Sequence, residues 1–381
     1  MPIFDQGYQH WSGQLSGNAW RWLAVTRQGI RSGMKSRILR YVLFASWVPA
    51  LALVFVLCFW GLLERKSSLA TTFIQFMSFL EPGMVADPVH YRVDVWRLAY
   101  SIFLRVELWF SMILILLVGP NLISQDLRFN ALPLYFSRPL RRIDYFLGKL
   151  GVIVAFLGMV MILPSVVAYI LGLLFSLDIT ILRDTFGILL ASIAYGLIIA
   201  LSAGLLVLAL SAMSRSSRYV ALFWLGVWFI GWSISAVLLG VDSQQRRYAY
   251  FSKLTPPPAM MRDEGLSREE RQRQFRAWRQ AREKASVEYR MGELEFSKND
   301  WRPLVSYVAN LSRLGTQLLG TDETWKTLSE LQPDQESRDR MLVLYMGPQY
   351  PWYWSAGVLV GLFGLSACIL NASVKSLDRL K

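Results

Sequence analysis

Residues 41 to 63 read Tyr41-Val-Leu-Phe-Ala-Ser-Trp-Val-Pro-Ala-Leu-Ala-Leu-Val-Phe-Val-Leu-Cys-Phe-Trp-Gly-Leu-Leu63, without one Asp, Glu, Lys or Arg. A bilayer core about 30 Å thick is crossed by about 20 apolar residues of helix, so this run is long enough to span it. Five more uncharged stretches follow, at 108 to 125, 150 to 177, 185 to 214, 219 to 241 and 341 to 374. Each is long enough or nearly so. Charged residues make up 18% of the 381-residue chain, against roughly 25% in an ordinary soluble domain. The sequence therefore specifies an all-α integral membrane protein with six transmembrane helices, and a soluble enzyme is excluded.

The net charge of +13 raises the question of a nucleic-acid partner, and the placement of the charge answers it. If the first span runs outward, segments 1 to 40, 120 to 149, 211 to 218 and 373 to 381 face inward. They hold sixteen Lys or Arg against four acids, Asp5, Asp126, Asp144 and Asp378. The short outer segments are nearly balanced, and the long segment 242 to 340 carries 18 bases and 16 acids. An excess concentrated on one side is the positive-inside bias that orients membrane proteins and attracts anionic lipid. The partner it implies is the lipid bilayer, with no nucleic acid.

Cys58 and Cys368 are the only two cysteines, each in an apolar span and at different depths on this topology, so a disulfide between them is geometrically implausible. His10 and His90 are far apart and have no cysteine pair nearby, so no metal site is expected. The first 40 residues are too polar and too long for a signal peptide. In them Trp22, Leu23, Ile30, Met34 and Ile38 fall near helical spacing, with Arg27, Arg31 and Lys35 filling the gaps. That is the composition of a helix lying in the inner interface, anchored by Trp20 and Trp22, rather than of a flexible basic arm.

Beyond span one, Ser67 to Leu80 is uncharged but too short to cross, and suits a piece against the outer leaflet or a cap over the bundle. Span two is preceded by Asp94, Arg97, Arg105 and Glu107. A charge at the bilayer centre costs about 2.5 to 3.5 kcal/mol, so this helix begins outside, and its charges sit near the outer interface or inside the bundle. Arg105 and Glu107, two residues apart, lie on different helical faces. They read first as outer-surface anchors; the functional alternative is an outer gate or a substrate contact.

Spans three (about 150 to 174) and four (about 186 to 210) are joined outside by a short turn, and small residues recur in span four, which favours close helix packing. Span five ends at Val241, and about a hundred mostly polar residues precede the last span. Thr255-Pro-Pro-Pro258 punctuates them. Ser267-Arg-Glu-Glu270 fits a capping box, which predicts a charged helix from about Arg268 to Arg290. Its thin stripe of Phe275, Trp278, Ala281 and Ala285 makes it a surface helix needing a partner or a solvated arm; the residues leave both open. Leu304, Val305, Val308, Leu311, Leu314 and Leu318 predict an amphipathic helix returning along the outer membrane face. Trp352-Tyr-Trp354 then opens the last span, about 352 to 372, and Lys375, Arg379 and Lys381 close it, which puts both termini inside.

The chain thus divides into 1–40, an inner interfacial helix; 41–241, spans one to five with an inner loop at 120–149; 242–348, an outer helical loop domain; and 349–381, span six with a basic tail. No constellation for catalysis is present. Gly148-Lys149 is followed by Leu150 and lacks the upstream glycine of a phosphate-binding loop, and there is no G-x-S-x-G, H-E-x-x-H or His/Cys/carboxylate cluster. The clear spans carry no carboxylates of the kind proton-coupled carriers use.

The most informative loop joins spans two and three. It carries Gly119, Ile123-Ser-Gln-Asp126, a turn about Asn130 to Pro133, then Leu134 through Arg138-Pro139, Arg142 and Gly148-Lys149. This pattern resembles that of the membrane (permease) subunits of ATP-binding-cassette transporters of the type-2, export class. The interfacial helix, six spans and inward basic tail extend the resemblance across most of the chain.

The resemblance implies that the loop is a coupling helix docking in a groove of a separate cytosolic ATPase subunit. Ser124, Gln125, Asp126, Leu127, Arg128, Ser137, Arg138, Pro139, Arg141 and Arg142 would lie at or beside that contact. For each arginine alone, the positive-inside bias is an equal explanation. No cofactor would bind this chain directly, since ATP and Mg belong to the partner. A second permease subunit, identical or paralogous, would complete the pathway in a bacterial inner (plasma) membrane. The stretch 242 to 303 is longer than the family's usual connection and could recruit an extracytoplasmic partner protein. The competing expectations are a membrane scaffold anchoring such a partner through 242–340, and a secondary carrier. Cargo is not legible.

Overall fold

In the computed structural model, residues 20–65, 82–132, 135, 140–176, 180–252 and 267–378 are described. Among them every regular element is helical. Ser67 to Leu80 and Thr255 to Pro258 lie outside the described residues.

Helix α1 (Arg21–Gly33) leads within a few residues into α2 (Arg37–Glu64), whose N-cap Ser36 accepts the Leu39 N–H at 3.4 Å. After a single turn at Pro82–Ala86 come α3 (Arg92–Arg128), α4 (Arg142–Phe175), α5 (Thr180–Met213) and α6 (Ser217–Phe251). A lobe of α7 (Arg268–Phe296), α8 (Tyr307–Leu319), α9 (Thr321–Ser329) and α10 (Gln335–Tyr345) precedes α11 (Trp352–Asp378). Among the described residues six helices, α2 to α6 and α11, are long and apolar enough to cross a membrane. The chain thus fits a multi-pass membrane protein.

Three helices carry internal prolines, which remove a donor and crowd the carbonyl four residues back. In α4 the ladder widens into a π turn at Gly158–Ile162, immediately before Pro164. The Ser165 hydroxyl donates to the Met161 carbonyl at 2.7 Å, and Tyr100 of α3 donates to the Ser165 carbonyl at 2.8 Å. The distortion is therefore bonded into the core rather than left open.

The core runs between α3, α4 and α5, where Trp96, Tyr100, Met112, Phe156 and Ile199 are fully buried. By contrast α2 and α6 turn wide apolar faces outward, with Phe44, Leu51, Leu222 and Val237 all exposed. In a bilayer those side chains meet lipid tails as apolar as themselves.

Alternating helix direction gathers the chain's features at two ends. At the lobe end, Arg92 at the start of α3 makes a bidentate bond to Glu64, the last residue of α2, at 2.8 and 3.0 Å. The Arg92 guanidinium also donates to Thr180 at 3.2 Å and lies 3.7 Å from Asp184. Ser176 donates to Glu64 at 3.1 Å. Both Arg92 and Glu64 side chains are nearly inaccessible, so this cluster clasps α2, α3 and the α4–α5 hairpin together.

The lobe differs from the sequence expectation in two ways. The fifth span does not stop at Val241: α6 continues to Phe251, across the expected domain boundary. Tyr289 of α7 donates to the Ser243 carbonyl at 2.9 Å, and Arg246 pairs with Asp242 at 2.8 Å, so the extension has partners that favour helix. Secondly, the residues from Leu304 do not form one amphipathic helix. A 3₁₀ turn occupies Arg302–Val305, and α8 begins afresh at Tyr307, with Ser306 as N-cap accepting from Ala309 N–H at 3.1 Å. Its buried face, Val308, Leu311, Gly315 and Leu319, packs on α3, α5 and α11. Gly320, at φ 66°, ends α8 and turns the chain directly into α9; a side chain there would strain the left-handed backbone.

Helix α7 does have the capping box: Ser267 Oγ accepts from Glu270 N–H at 3.2 Å, and Glu270 accepts from Ser267 N–H at 3.1 Å. It has partners too, in the α6 extension and α10. Ala285 and Val287 are its buried positions.

Candidate functional site

The end of the bundle opposite the lobe carries α1, the C-terminus of α3, the N-terminus of α4 and the α5–α6 turn. Pro120 sits inside α3 there, without an N–H to give to the ladder. Ser211 of α5 packs on the turn that follows it. Its Oγ accepts the N–H groups of Ile123 and Ser124 at 3.1 and 2.9 Å and donates to the Pro120 carbonyl at 3.1 Å. Ser124 Oγ also donates to the Pro120 carbonyl, and lies 2.9 Å from Ser217 Oγ of α6. Ser124 is fully buried. It joins α3 to α5 and α6, and so lies behind the exposed residues of the hairpin rather than among them.

One turn further on, Asp126 meets Lys149 at 2.6 Å. Tyr145 donates to the same carboxylate at 2.6 Å. The Lys149 ammonium stands 5.3 Å from the centre of the Tyr145 ring and 5.9 Å from that of Tyr135, within the range of a cation–π contact. Burial, and then the Asp126 charge, push the Tyr135 hydroxyl above its ordinary pKa. The Lys149 and Asp126 side chains are 11% and 15% exposed. At that burial a charge is tolerable because it is paired and hydrogen-bonded. Asp126 therefore spends its charge inside the protein, tying the end of α3 to the start of α4.

Between the two arms the chain reverses at Asn130, which takes φ 51°; asparagine tolerates this left-handed conformation better than most residues. Asp144 accepts the Arg141 N–H at 3.2 Å and caps α4; its negative charge suits the positive end of that helix. Gln125, Arg128, Arg141 and Arg142 are exposed around this hairpin, and Leu127 is half-buried. Ser137, Arg138 and Pro139 lie outside the described residues.

Gly148 gives the glycine of the Gly-Lys pair a physical reason. A Cβ on Gly148 would stand 2.9 Å from the Trp22 carbonyl oxygen and 2.5 Å from Val25 Cβ. The absence of a side chain lets α1 lie directly on α4, where Thr26 Oγ1 donates to the Gly148 carbonyl at 3.0 Å. So α1 is a packed helix with Thr26 buried, while Trp20 and Leu23 remain exposed.

Sequence reasoning missed Tyr145, Ser211, Ser217 and Thr26. Tyr145 had a usable signal, since it precedes Lys149 by one helical turn and must share its face. The serines had none, because nothing local says which hydroxyl will meet the backbone of a helix some ninety residues away.

At the lobe end, the two charges expected as anchors or an outer gate separate. Arg105 is exposed. Glu107 is fully buried, with neither carboxylate oxygen hydrogen-bonded among the described residues. Surface anchoring therefore does not describe Glu107, although it sits only two residues from Arg105.

The geometry offers a braced polar projection: a hairpin whose two arms are bonded to each other, with cationic and amide side chains exposed. No family model matches the chain, and no curated protein matches it at a meaningful level of similarity.

Proposed function

We propose that this chain is the permease subunit of an ATP-binding-cassette transporter, driven by ATP and Mg on a separate cytosolic subunit. The observation that carries the reading is the brace of Asp126, Lys149 and Tyr145 directly behind the exposed Gln125, Arg128, Arg141 and Arg142. A flexible loop would absorb a push from a docked partner. A loop whose arms are joined by a nearly buried ion pair passes it into α3 and α4. The permease changes state because its conformations differ in contact with the nucleotide-loaded partner.

On this reading the α1 end faces the cytoplasm with both termini, in an inner or plasma membrane. A second permease subunit completes the pathway, and the work is export or mechanical work at the envelope. Purification of the tagged full chain from its native membrane tests the proposal. An ATPase subunit is expected to co-purify, and Arg142→Glu with Arg138→Glu is expected to release it. An intact complex after both reversals, or a chain that purifies without any ATPase, overturns the docking assignment.

The second reading, a scaffold for an outer protein, is favoured by the long, charged, exposed surface of α7. Retention of such a protein by a chain that has lost its ATPase would select it.

A further inference from the structure

Between α3, α6 and the cap made by α8, α9 and α10 lies a cavity of about 350 Å³, in the size range of small-molecule sites. Its lining mixes apolar and polar side chains, with two pairs of stacked or edge-on aromatic rings. Trp109 and Trp232 meet edge to face at 5.7 Å, and Trp325 stacks on Tyr345 at 4.3 Å with their planes 6° apart.

Only three of the polar residues in the lining are charged, Arg105, Arg313 and Asp322, and they are not equally free. Arg313 is spent: it pairs with Asp322 at 2.7 Å and donates to the Tyr350 carbonyl at 2.8 Å. That pairing also neutralises Asp322. Arg105 lines the same cavity and has neither an ion-pair nor a hydrogen-bond partner among the described residues. Thr321, also in the lining and 2% exposed, has a buried hydroxyl without a partner.

One unneutralised guanidinium and one unfilled hydroxyl beside apolar and aromatic walls select a ligand. A cation is repelled by Arg105. A polyanion finds a single free charge and apolar walls. A neutral hydrocarbon leaves the guanidinium unspent. Beside the cavity the faces of α3 and α6 carry exposed Val106, Val237 and Leu238, the surface through which a molecule dissolved in the bilayer arrives.

We infer that this cavity binds an anionic amphiphile, with a carboxylate or phosphate head at Arg105 and an apolar chain against Trp109 and Trp232. Charge-assisted bonds to a guanidinium fix the head, and the indole rings cover the chain. The inference goes beyond the transporter reading and does not rest on it, since the cavity is built entirely from this chain.

The test uses the purified full chain in nanodiscs of zwitterionic lipid, with a diazirine-bearing hexadecanoate as probe and its uncharged methyl ester as comparison. Cross-linked peptides are mapped by mass spectrometry. The carboxylate is expected to label the segments around Trp109, Trp232 and Ser312, and the ester far less. Arg105→Gln is expected to weaken labelling about tenfold, the worth of one charge-assisted hydrogen bond, while Arg105→Lys retains most of it. Because Arg105 is exposed, both variants are expected to melt as the parent does.

Unlabelled phosphatidylglycerol should compete and glycerol phosphate should not, which separates a lipid head from a free anion. Equal labelling by the ester, equal competition by glycerol phosphate, or full labelling of Arg105→Gln would each overturn the assignment. Loss of an ATPase partner would leave all of these readouts unchanged, so the two proposals fail separately.

Discussion

Lys149 Nζ lies 2.6 Å from the Asp126 carboxylate, so the last turn of α3 and the first turns of α4 share one charge pair. With Tyr145 as a further donor to Asp126, each member depends on the others. Lys149→Met is expected to cost about 2 kcal/mol and Asp126→Asn a similar amount. Because the groups form one network, the double variant should cost clearly less than the sum. Thermal melting of the four proteins in one detergent gives the coupling, and additive losses would mean that the pair contributes nothing jointly.

The docking of α1 on α4 predicts a steric effect at a single atom. Gly148→Leu places carbon where the Trp22 carbonyl and Val25 stand, and overpacking of this kind costs about 1 to 3 kcal/mol. The first consequence is detachment of α1. Proteolysis near Arg27 and Arg31 should accelerate in the variant while the spans stay protected; unchanged cleavage would show that α1 is held elsewhere.

Arg92→Ala leaves Glu64 buried and uncompensated, which costs about 3 to 5 kcal/mol. Arg92→Lys should not restore the loss, because an ammonium cannot reproduce the bidentate fork. Glu64→Gln combined with Arg92→Met removes both charges and should recover much of the stability. Denaturation in mixed micelles ranks the three; parity between Arg92→Ala and the parent would contradict the clasp.

Glu107 is the opposite case, a buried carboxyl group with no hydrogen-bond partner among the described residues. Glu107→Met removes an unsatisfied polar group at similar volume, and is expected to stabilise by about 1 to 3 kcal/mol, read as a higher melting temperature. A lower melting temperature would show that Glu107 is satisfied after all.

In the lobe, burial alone would raise the Asp300 pKa, but hydrogen bonds and charge from Arg302 outweigh it and hold the carboxyl below the usual carboxylate value of 3.8. Arg302 in turn bonds Asp300 at 2.8 Å and pairs with Asp242 at 2.6 Å. A depressed folded-state value means that the unfolded chain takes up the proton first. The stabilisation is therefore complete above the ordinary carboxylate range and is lost as pH falls through the lowered value. Hydrogen-exchange protection of residues 297–306, corrected for the intrinsic rate, should fall below about pH 4, and Asp300→Asn should flatten that fall.

How much of this could be read from the residues follows from the range of each cause. The six spans were legible because a bilayer imposes one rule on twenty residues at a time. Ser267 and Glu270 were legible because a capping box is local. The end of α6 was not, since Val241 closes the apolar run while Tyr289 and Arg246 keep the backbone helical for ten more residues. Ser124 was placed at or beside a docking contact on resemblance; nothing local showed that it would be buried against Ser211 and Ser217. Such pairings depend on which helices become neighbours, and no window of sequence contains that information.

The course of α6 from Ser217 to Phe251, helical throughout with a π turn at Gly226–Ile230, has a mechanical result. Its 35 residues extend about 52 Å. With its foot beside Ser124, a tilt of about 10° there would sweep Phe251 through roughly 9 Å, and α7 would travel with it. A small movement at the buried serines thus becomes a large stroke at the far tip.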